Sequence, residues 1–546
     1  MIKLTKWQLQ RGTAWCLPLI FLVVLFATLE FRFRQEAGER LFPGDEPYRH
    51  LVMARSIQTA QAYHWHASAP IPMVGDVAWR GLLALGVRRL GDDLTVALLF
   101  GLAGVGLSLL LLQGLAERLF PYPVCIGFTA AYALLTPLLY RASFSGTSQA
   151  LAMVLIVAAV QRHIADLARR GRGLPFSATV LIAMAMWVRV ELVVVWLALW
   201  LHTGALAWLP GEERLSPMAV ALRGLNGLLF LALCTLPMLA WNQRVVEVPW
   251  PRLPHAPLAA DIWIEAGPAA GWHATSHWMQ MGVSEVAALW RNAVLPGGPI
   301  SVVLAVIGMV LIAGQARHTE RFRHYTVLGL LPLVAWVLWI PLYPYMGGSS
   351  GPVLAVATAP FLLLLAAYGV VYLPFQFGNR LLHRLPGWSE RRLFAGWWGV
   401  AGTLLLGEAL ISQATFVRNH TATLRNQAET RRAISDILLA EGLNRDRFIT
   451  DQPGWLVWQH RVAVVDLTGE WSPRLLASID AEGGFDLERL THYLGHLRHP
   501  PTAALLWAPA HQVHTQWLAE PQQLWPPPDA APGQPLLVID ATAGVL

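Results

Sequence analysis

The sequence predicts a polytopic α-helical membrane protein of about eleven transmembrane helices, N-terminus inside and C-terminus outside, ending in a small external α/β domain. Three observations predict it. Of the 546 residues, 55% are hydrophobic and only 14% are charged, a balance that soluble globular domains rarely reach. Apolar runs long enough to cross a hydrocarbon core recur along most of the chain. From about Val417 onward the pattern turns polar, with short alternating apolar runs separated by turn residues.

The runs fall at 13–31, 94–115, 121–140, 145–164, 175–188, 190–209, 223–241, 299–315, 325–342, 352–373 and 395–412. The first has no convincing small-residue cleavage site after it and reads as a retained anchor. The stretch from Pro175 to Leu209 is too long for one span and is interrupted by Arg189 and Glu191, so it reads as two spans turning at that pair. With the N-terminus inside, the basic clusters fall on the inner side: Lys3, Lys6 and Arg11; Arg118; Arg162, Arg169, Arg170 and Arg172; Arg214 and Arg223; Arg317, Arg321 and Arg323; and Arg380, Arg384, Arg391 and Arg392. Residues 1–415 then form the transmembrane domain. Its first loop, 32–93, the turn near Arg189 and a long loop, 242–298, share the outer face with a C-terminal domain, 416–546.

Within that domain Arg425–Glu441 reads as a helix. Arg447–Thr450, Val462–Leu467 and Pro535–Asp540 read as strands, with a turn at Pro453-Gly454 and a stiff loop at Pro526-Pro527-Pro528. Composition also excludes functions. Cys16, Cys125 and Cys234 all sit in apolar runs, which supports neither a disulfide framework nor a cysteine metal site. Lys3 and Lys6 are the only lysines, so the arginine excess reflects genome bias and not nucleic-acid binding. No Walker-type loop and no paired Cys-x-x-Cys occurs, which leaves nucleotide hydrolysis and a two-cysteine metal site without residue support.

The residues that point to chemistry lie on the outer face. Asp45 and Glu46 precede Pro47 at a helix start, where the helix dipole keeps acids ionised and able to accept a proton; a plain capped surface helix has the same pattern. In that helix Tyr48, Leu51, Val52 and Ile57 are expected near lipid, with Arg49, His50 and Arg55 toward water or headgroups. Arg189 offers a guanidinium fork suited to phosphate, with Glu191 to orient it, although an interfacial pair solvated at the turn fits too. His64 and His66, flanking Trp65, read as an interfacial cluster near substrate. His273 and His277 have i, i+4 spacing but no companion metal-binding motif. Trp241, Trp250, Trp263, Trp272 and Trp278 fit either sugar stacking or an aromatic belt.

Several of these segments resemble motifs of the GT-C superfamily, polytopic glycosyltransferases that use polyprenyl-phosphate sugars. Gly44-Asp45-Glu46-Pro47-Tyr48 is similar to the acidic motif of their first external loop. Ser145-Gly146-Thr147-Ser148-Gln149 resembles the Ser-Gly-Met-Glu-Thr segment of a bacterial branch that includes mycobacterial arabinofuranosyltransferases, and Arg189-Val190-Glu191 resembles that branch's Arg-Pro-Glu. Thr450-Asp451-Gln452-Pro453-Gly454 with Val464-Val465-Asp466-Leu467-Thr468-Gly469 is similar to its C-terminal Asp-x-Gly and Val-Asp-Leu-x-Gly. Two departures stand out: Ser148 replaces a glutamate, and the arginine expected near Ser349–Pro360 is absent.

The resemblance implies an inverting glycosyltransferase of the bacterial plasma membrane that faces the periplasm. It would move a hexosyl or pentosyl unit from a polyprenyl-phosphate donor to a hydroxyl of a cell-envelope glycan, lipid or protein. Asp45 would be general base, Glu46 a supporting or acceptor contact, and Tyr48, Arg189, Glu191, His64 and His66 substrate contacts. No cofactor is required by the residues, while Mg²⁺ or Mn²⁺ is compatible with the class. The alternatives are a lipid-linked-sugar transporter or flippase and a catalytically inactive GT-C homologue acting as an assembly subunit.

Overall fold

The computed structural model describes residues 6–59, 64–65, 69–70, 75–121, 137–170, 176–208, 216–246, 299–346, 350–382, 389–440, 447–450, 452–466, 503–506, 521–525 and 536–540, with isolated helical residues at 127 and within 276–284. The helices are α1 (Lys6–Ala37), α2 (Glu46–Gln58), α3 (Val77–Leu90), α4 (Asp93–Leu119), α5 (Pro137–Phe144), α6 (Gln149–Arg170), α7 (Phe176–Val188), α8 (Val193–Trp208), α9 (Pro217–Val246), α10 (Pro299–His318), α11 (Val327–Met346), α12 (Ser350–Leu382), α13 (Glu390–Ala440) and α14 (Pro453–His460). Among the described residues eight helices are long and apolar enough to cross a membrane, and Ser177–Val188 and His324–Leu338 are shorter apolar helices. This is a multi-pass membrane protein. The expected span at 121–140 lies largely outside the described residues, as does most of the 242–298 loop, with Trp250, Trp263, Trp272, Trp278, His273 and His277.

Lipid offers helices little hydrophobic reason to associate, so close backbone approach and interhelical hydrogen bonds have to hold them. Gly308 on α10 and Gly369 on α12 show the first device, because a Cβ on either would run into the other helix's backbone, at Leu365 O and Leu304 O. The second device is a buried histidine pair. His163 on α6 and His202 on α8 lie 2.9 Å apart, and His202 Nε2 is 3.0 Å from Thr326 Oγ1 at the start of α11. The chain breaks at Arg189, where a single 3₁₀ turn, Val190–Leu192, separates α7 from α8.

Two expectations are corrected here. The expected domain boundary at 415/416 falls inside α13, whose 51 residues run unbroken. Residues 413–424 contain neither glycine nor proline, so nothing stops the helix where its polarity changes. At 1.5 Å per residue α13 is roughly 75 Å long, more than twice a hydrocarbon core of about 30 Å, so much of it stands clear of the apolar layer. Pro453-Gly454 is not a turn between strands but the first turn of α14, with Pro453 at a position where its missing N–H costs nothing.

The C-terminal strands are β3 (Arg447–Thr450), β4 (Ala463–Asp466), β5 (Ala503–Leu506), β6 (Pro521–Trp525) and β7 (Leu536–Asp540); an earlier two-residue hairpin in the first loop pairs β1 (His64–Trp65) with β2 (Ala69–Pro70). The five form one mixed sheet in the order β4-β3-β5-β7-β6. β3 runs parallel to both neighbours, and β7 antiparallel to both of its own. The β3–α14–β4 crossover places the N-terminus of α14 over the start of α2.

α2 is the largest departure from expectation. Tyr48 and Leu51 are fully buried in the protein and not at a lipid surface, and Arg49 and His50 are buried with them. α3 covers one side of α2 and α14 another, and an apolar stripe reads the same whether protein or lipid covers it.

Candidate active site

Four separate chain segments meet at the start of α2. Asp45, at its N-cap, makes no side-chain capping bond to the backbone of its own helix. Its carboxylate instead accepts from the backbone N–H groups of Gly454 (2.9 Å) and Trp455 (2.7 Å), and from Arg49 Nε at 2.7 Å. It is therefore the anionic cap of α14, sitting where the first free N–H groups and the positive end of the helix dipole point. Gly454 is required for this approach. A Cβ there would lie 2.6 Å from Arg49 N and 2.7 Å from Asp45 O. Asp45, expected as the general base, has its carboxylate filled by three donors in this structure, with 8% of the residue exposed.

Glu46 is the accessible acid, its side chain 36% exposed. Arg189 donates to it through a terminal guanidinium nitrogen, and the Arg189 Nε lies 3.4 Å from Asp76 Oδ2. Asp76 precedes α3 in a left-handed backbone conformation, φ 56°. Its N–H donates to Val188 O at 2.6 Å, which docks the start of α3 onto the α7–α8 break. His50 completes the cluster, its Nε2 3.7 Å from Glu46 and 3.8 Å from Asp76. Burial alone pushes the Glu46 carboxyl up, but Arg189, then His50 and Arg49, outweigh it and bring it down to about 2.

Glu46, His50 and Asp76 bring their ligand atoms within 4.8 Å of one another. In type and spacing they suit a divalent cation. The protons oppose it. Arg80 Nε approaches His50 Nδ1 at 3.4 Å, so Nδ1 is the acceptor and Nε2, the atom facing the acids, carries the hydrogen and offers no lone pair. Arg189 donates to Glu46 and stands 3.4 Å from Asp76 Oδ2, while Asp76 Oδ1 has no hydrogen-bond partner among the described residues. The cluster therefore combines three ligand types with cationic neighbours of its own.

Above the cluster Arg431 of α13 fastens the preceding loop. It donates to Tyr48 Oη (2.9 Å) and Gly44 O (2.9 Å), and lies over the Tyr48 and Trp455 rings. The Tyr48 hydroxyl also accepts from Phe42 N at 3.0 Å. Tyr48, expected to touch substrate, is fully buried and anchors the loop through its hydroxyl. The fold brings Arg189 to the acids, and Glu191 is buried in the same turn. Ser148 is fully buried with its Oγ unbonded, and its segment touches the site's supports through Trp79 Nε1, which donates to Gly146 O. His64 lies in β1; His66 is outside the described residues, as is Asp451. Sequence reasoning missed Asp76, Arg80 and Arg431 and placed His50 in water. A Gly-Asp pair before a helix, Gly75-Asp76, was the available signal.

This architecture is the GT-C fold, reached by a chain with little sequence likeness to its structural neighbours. Crystal structures of ArnT from Cupriavidus metallidurans, one bound to undecaprenyl phosphate and one in the apo state, align at TM-scores of 0.52 and 0.51. Each is 14% identical, the first covering 97% of this chain and 99% of its own, the second 95% and 98%. No family model and no curated protein matches the sequence.

Proposed function

We propose that the protein is an inverting membrane glycosyltransferase that takes a sugar from a polyprenyl-phosphate donor at the outer face of the bacterial plasma membrane. The observation that carries this reading is the Arg189–Glu46 ion pair, a guanidinium fork suited to phosphate bonded to the most accessible carboxylate of the cluster. The fold supports it, since ArnT with the same architecture is seen bound to undecaprenyl phosphate. The acceptor is a hydroxyl of an envelope glycan, lipid or protein, and the five-stranded sheet, whose crossover helix α14 packs on α2, is proposed as part of its surface.

Before donor binds, Arg189 holds Glu46 too acidic to be an effective base. The donor phosphate competes for Arg189, because a guanidinium pairs with phosphate as readily as with carboxylate. Freed of its strongest counter-charge, Glu46 keeps the effect of burial against the weaker pull of His50 and Arg49, and its proton affinity rises. The acceptor oxygen then attacks the anomeric carbon, its proton passes to Glu46, and the bond from that carbon to the phosphate oxygen breaks. Polyprenyl phosphate leaves as an anion held by Arg189. Asp45 keeps the start of α2 in place by capping α14, and Asp76 orients Arg189.

Transfer from a panel of radiolabelled polyprenyl-phosphate sugars to membrane extracts tests the reading. Wild type is expected to transfer label and Arg189→Ala to lose it. Binding of every donor with no transfer would favour an inactive assembly subunit, and donor movement across liposomes without transfer a flippase. The coupling between donor and base has its own signature in pH profiles. kcat, which reports the donor complex, is expected to fall as pH drops through the ordinary carboxylate range, about 4.3. kcat/KM, which reports free enzyme, is expected to hold through that range, since free Glu46 protonates only near 2. Coincident acid limbs would show that Glu46 is not released by donor. EDTA is expected to leave the transfer rate unchanged, because Arg189 already places a positive charge against both Glu46 and Asp76.

A further inference from the structure

α1 and α13 run side by side and enclose a groove of about 660 Å³, separate from the acidic cluster. Leu25, Leu29, Leu410 and Val417 line its lower part, and Arg32, Arg418 and Arg425 its upper part. The spacing along both helices keeps these residues on facing stripes, 25, 29, 32 and 36 on α1 and 410, 413, 417, 421 and 425 on α13. The three arginines make no ion pair or hydrogen bond among the described residues, and Glu36 is the one acid on the lining. Three unpaired guanidinium groups at the top of an apolar crevice are a cationic collar at headgroup depth.

Gln413 decides between occupants. Both its amide atoms are shielded from solvent and unbonded, as is the hydroxyl of Thr421. Gln413 lies five residues below Arg418, roughly 7–8 Å along the helix. A polyprenyl phosphate presents only hydrocarbon that far below its phosphate, whereas a glycerophospholipid presents ester carbonyls there.

We propose that this groove binds one anionic glycerophospholipid of the surrounding membrane, its phosphate among Arg32, Arg418 and Arg425 and its ester region at Gln413. Its acyl chain lies between Leu25, Leu29, Leu410 and Val417. The bound lipid bridges two helices that are fastened again just above the groove, where Arg432 of α13 donates to Ala37 O of α1. It stabilises the pair that carries the first loop, and this holds whether or not the transferase reading is right.

Native mass spectrometry and thermal unfolding of the purified full chain in detergent test it, with phosphatidylglycerol, phosphatidylcholine and undecaprenyl phosphate added singly and in competition. Wild type is expected to retain one phosphatidylglycerol at least tenfold more strongly than phosphatidylcholine, with a higher unfolding temperature. Combined Arg32→Gln, Arg418→Gln and Arg425→Gln changes are expected to abolish that preference and leave the lipid-free unfolding temperature unaltered. Gln413→Leu is expected to weaken phosphatidylglycerol retention severalfold. Equal retention of phosphatidylcholine by wild type, or undiminished preference in the triple variant, overturns the proposal. Displacement of phosphatidylglycerol by equimolar undecaprenyl phosphate assigns the groove to a lipid carrier and overturns it as well.

Discussion

Glu46→Gln is expected to lower kcat by about 10²–10⁴, the usual contribution of a positioned general base, with the fold intact. The amide keeps the shape of the side chain and removes only its capacity to take a proton. It also removes the charge that competes with donor phosphate for Arg189, so KM for donor is expected to fall while kcat collapses. That split separates a chemical role from a structural one, since a merely disturbed loop would raise KM. Asp45→Asn is the necessary companion. Its remaining carbonyl oxygen still accepts from Trp455 N–H, while its new amino group confronts both Arg49 and the Gly454 N–H. The expected result is a loss of stability with a smaller loss of kcat. A folded Asp45→Asn enzyme as inactive as Glu46→Gln would hand the base to Asp45 and overturn the assignment made above.

The second large effect is on stability. In Gly454→Ala the new methyl would meet main-chain atoms of residues 45 and 49, and atoms of that kind cannot swing aside. Overpacking of this kind costs about 1–3 kcal/mol. Pushing α14 away also stretches the charge-assisted bonds of Asp45, each worth about 1.5–3 kcal/mol. A combined loss of roughly 2–4 kcal/mol follows, because relief of the clash sacrifices part of the hydrogen bonding and the two terms do not add fully. Thermal unfolding in a fixed detergent measures it. Limited proteolysis should show earlier cutting around residues 441–446, the link between α13 and the sheet. An unchanged melting temperature would mean that α14 does not rest on α2.

Apolar runs and a charged break proved readable because bilayer thickness imposes their length and ionisable groups are costly inside it. The turn at Arg189 and the strands at 447–450, 463–466 and 536–540 stand where alternation and turn residues put them. α13 was readable as helix on both sides of Val417, but its continuity depended on noticing what residues 413–424 lack. The candidate site was readable only in part. Glu46 and Arg189 could be suspected singly, yet their pairing spans 143 positions of chain. Asp76, Arg80 and Arg431 are ordinary surface residues by local pattern. Only packing against α2, the α7–α8 break and the Gly44 loop gives them partners. His50 and Tyr48 were misplaced for the same reason.

The contact between Asp45 and Gly454 joins groups 409 positions apart, and this sets an order of events during synthesis. The acidic loop leaves the ribosome among the first segments, while the backbone donors that seat it are among the last. Contacts that close so much chain form late. A half-made chain therefore already carries Glu46 and Arg189, but on a loop that nothing yet holds. The acidic loop is seated only when residues 453–455 have folded back onto it.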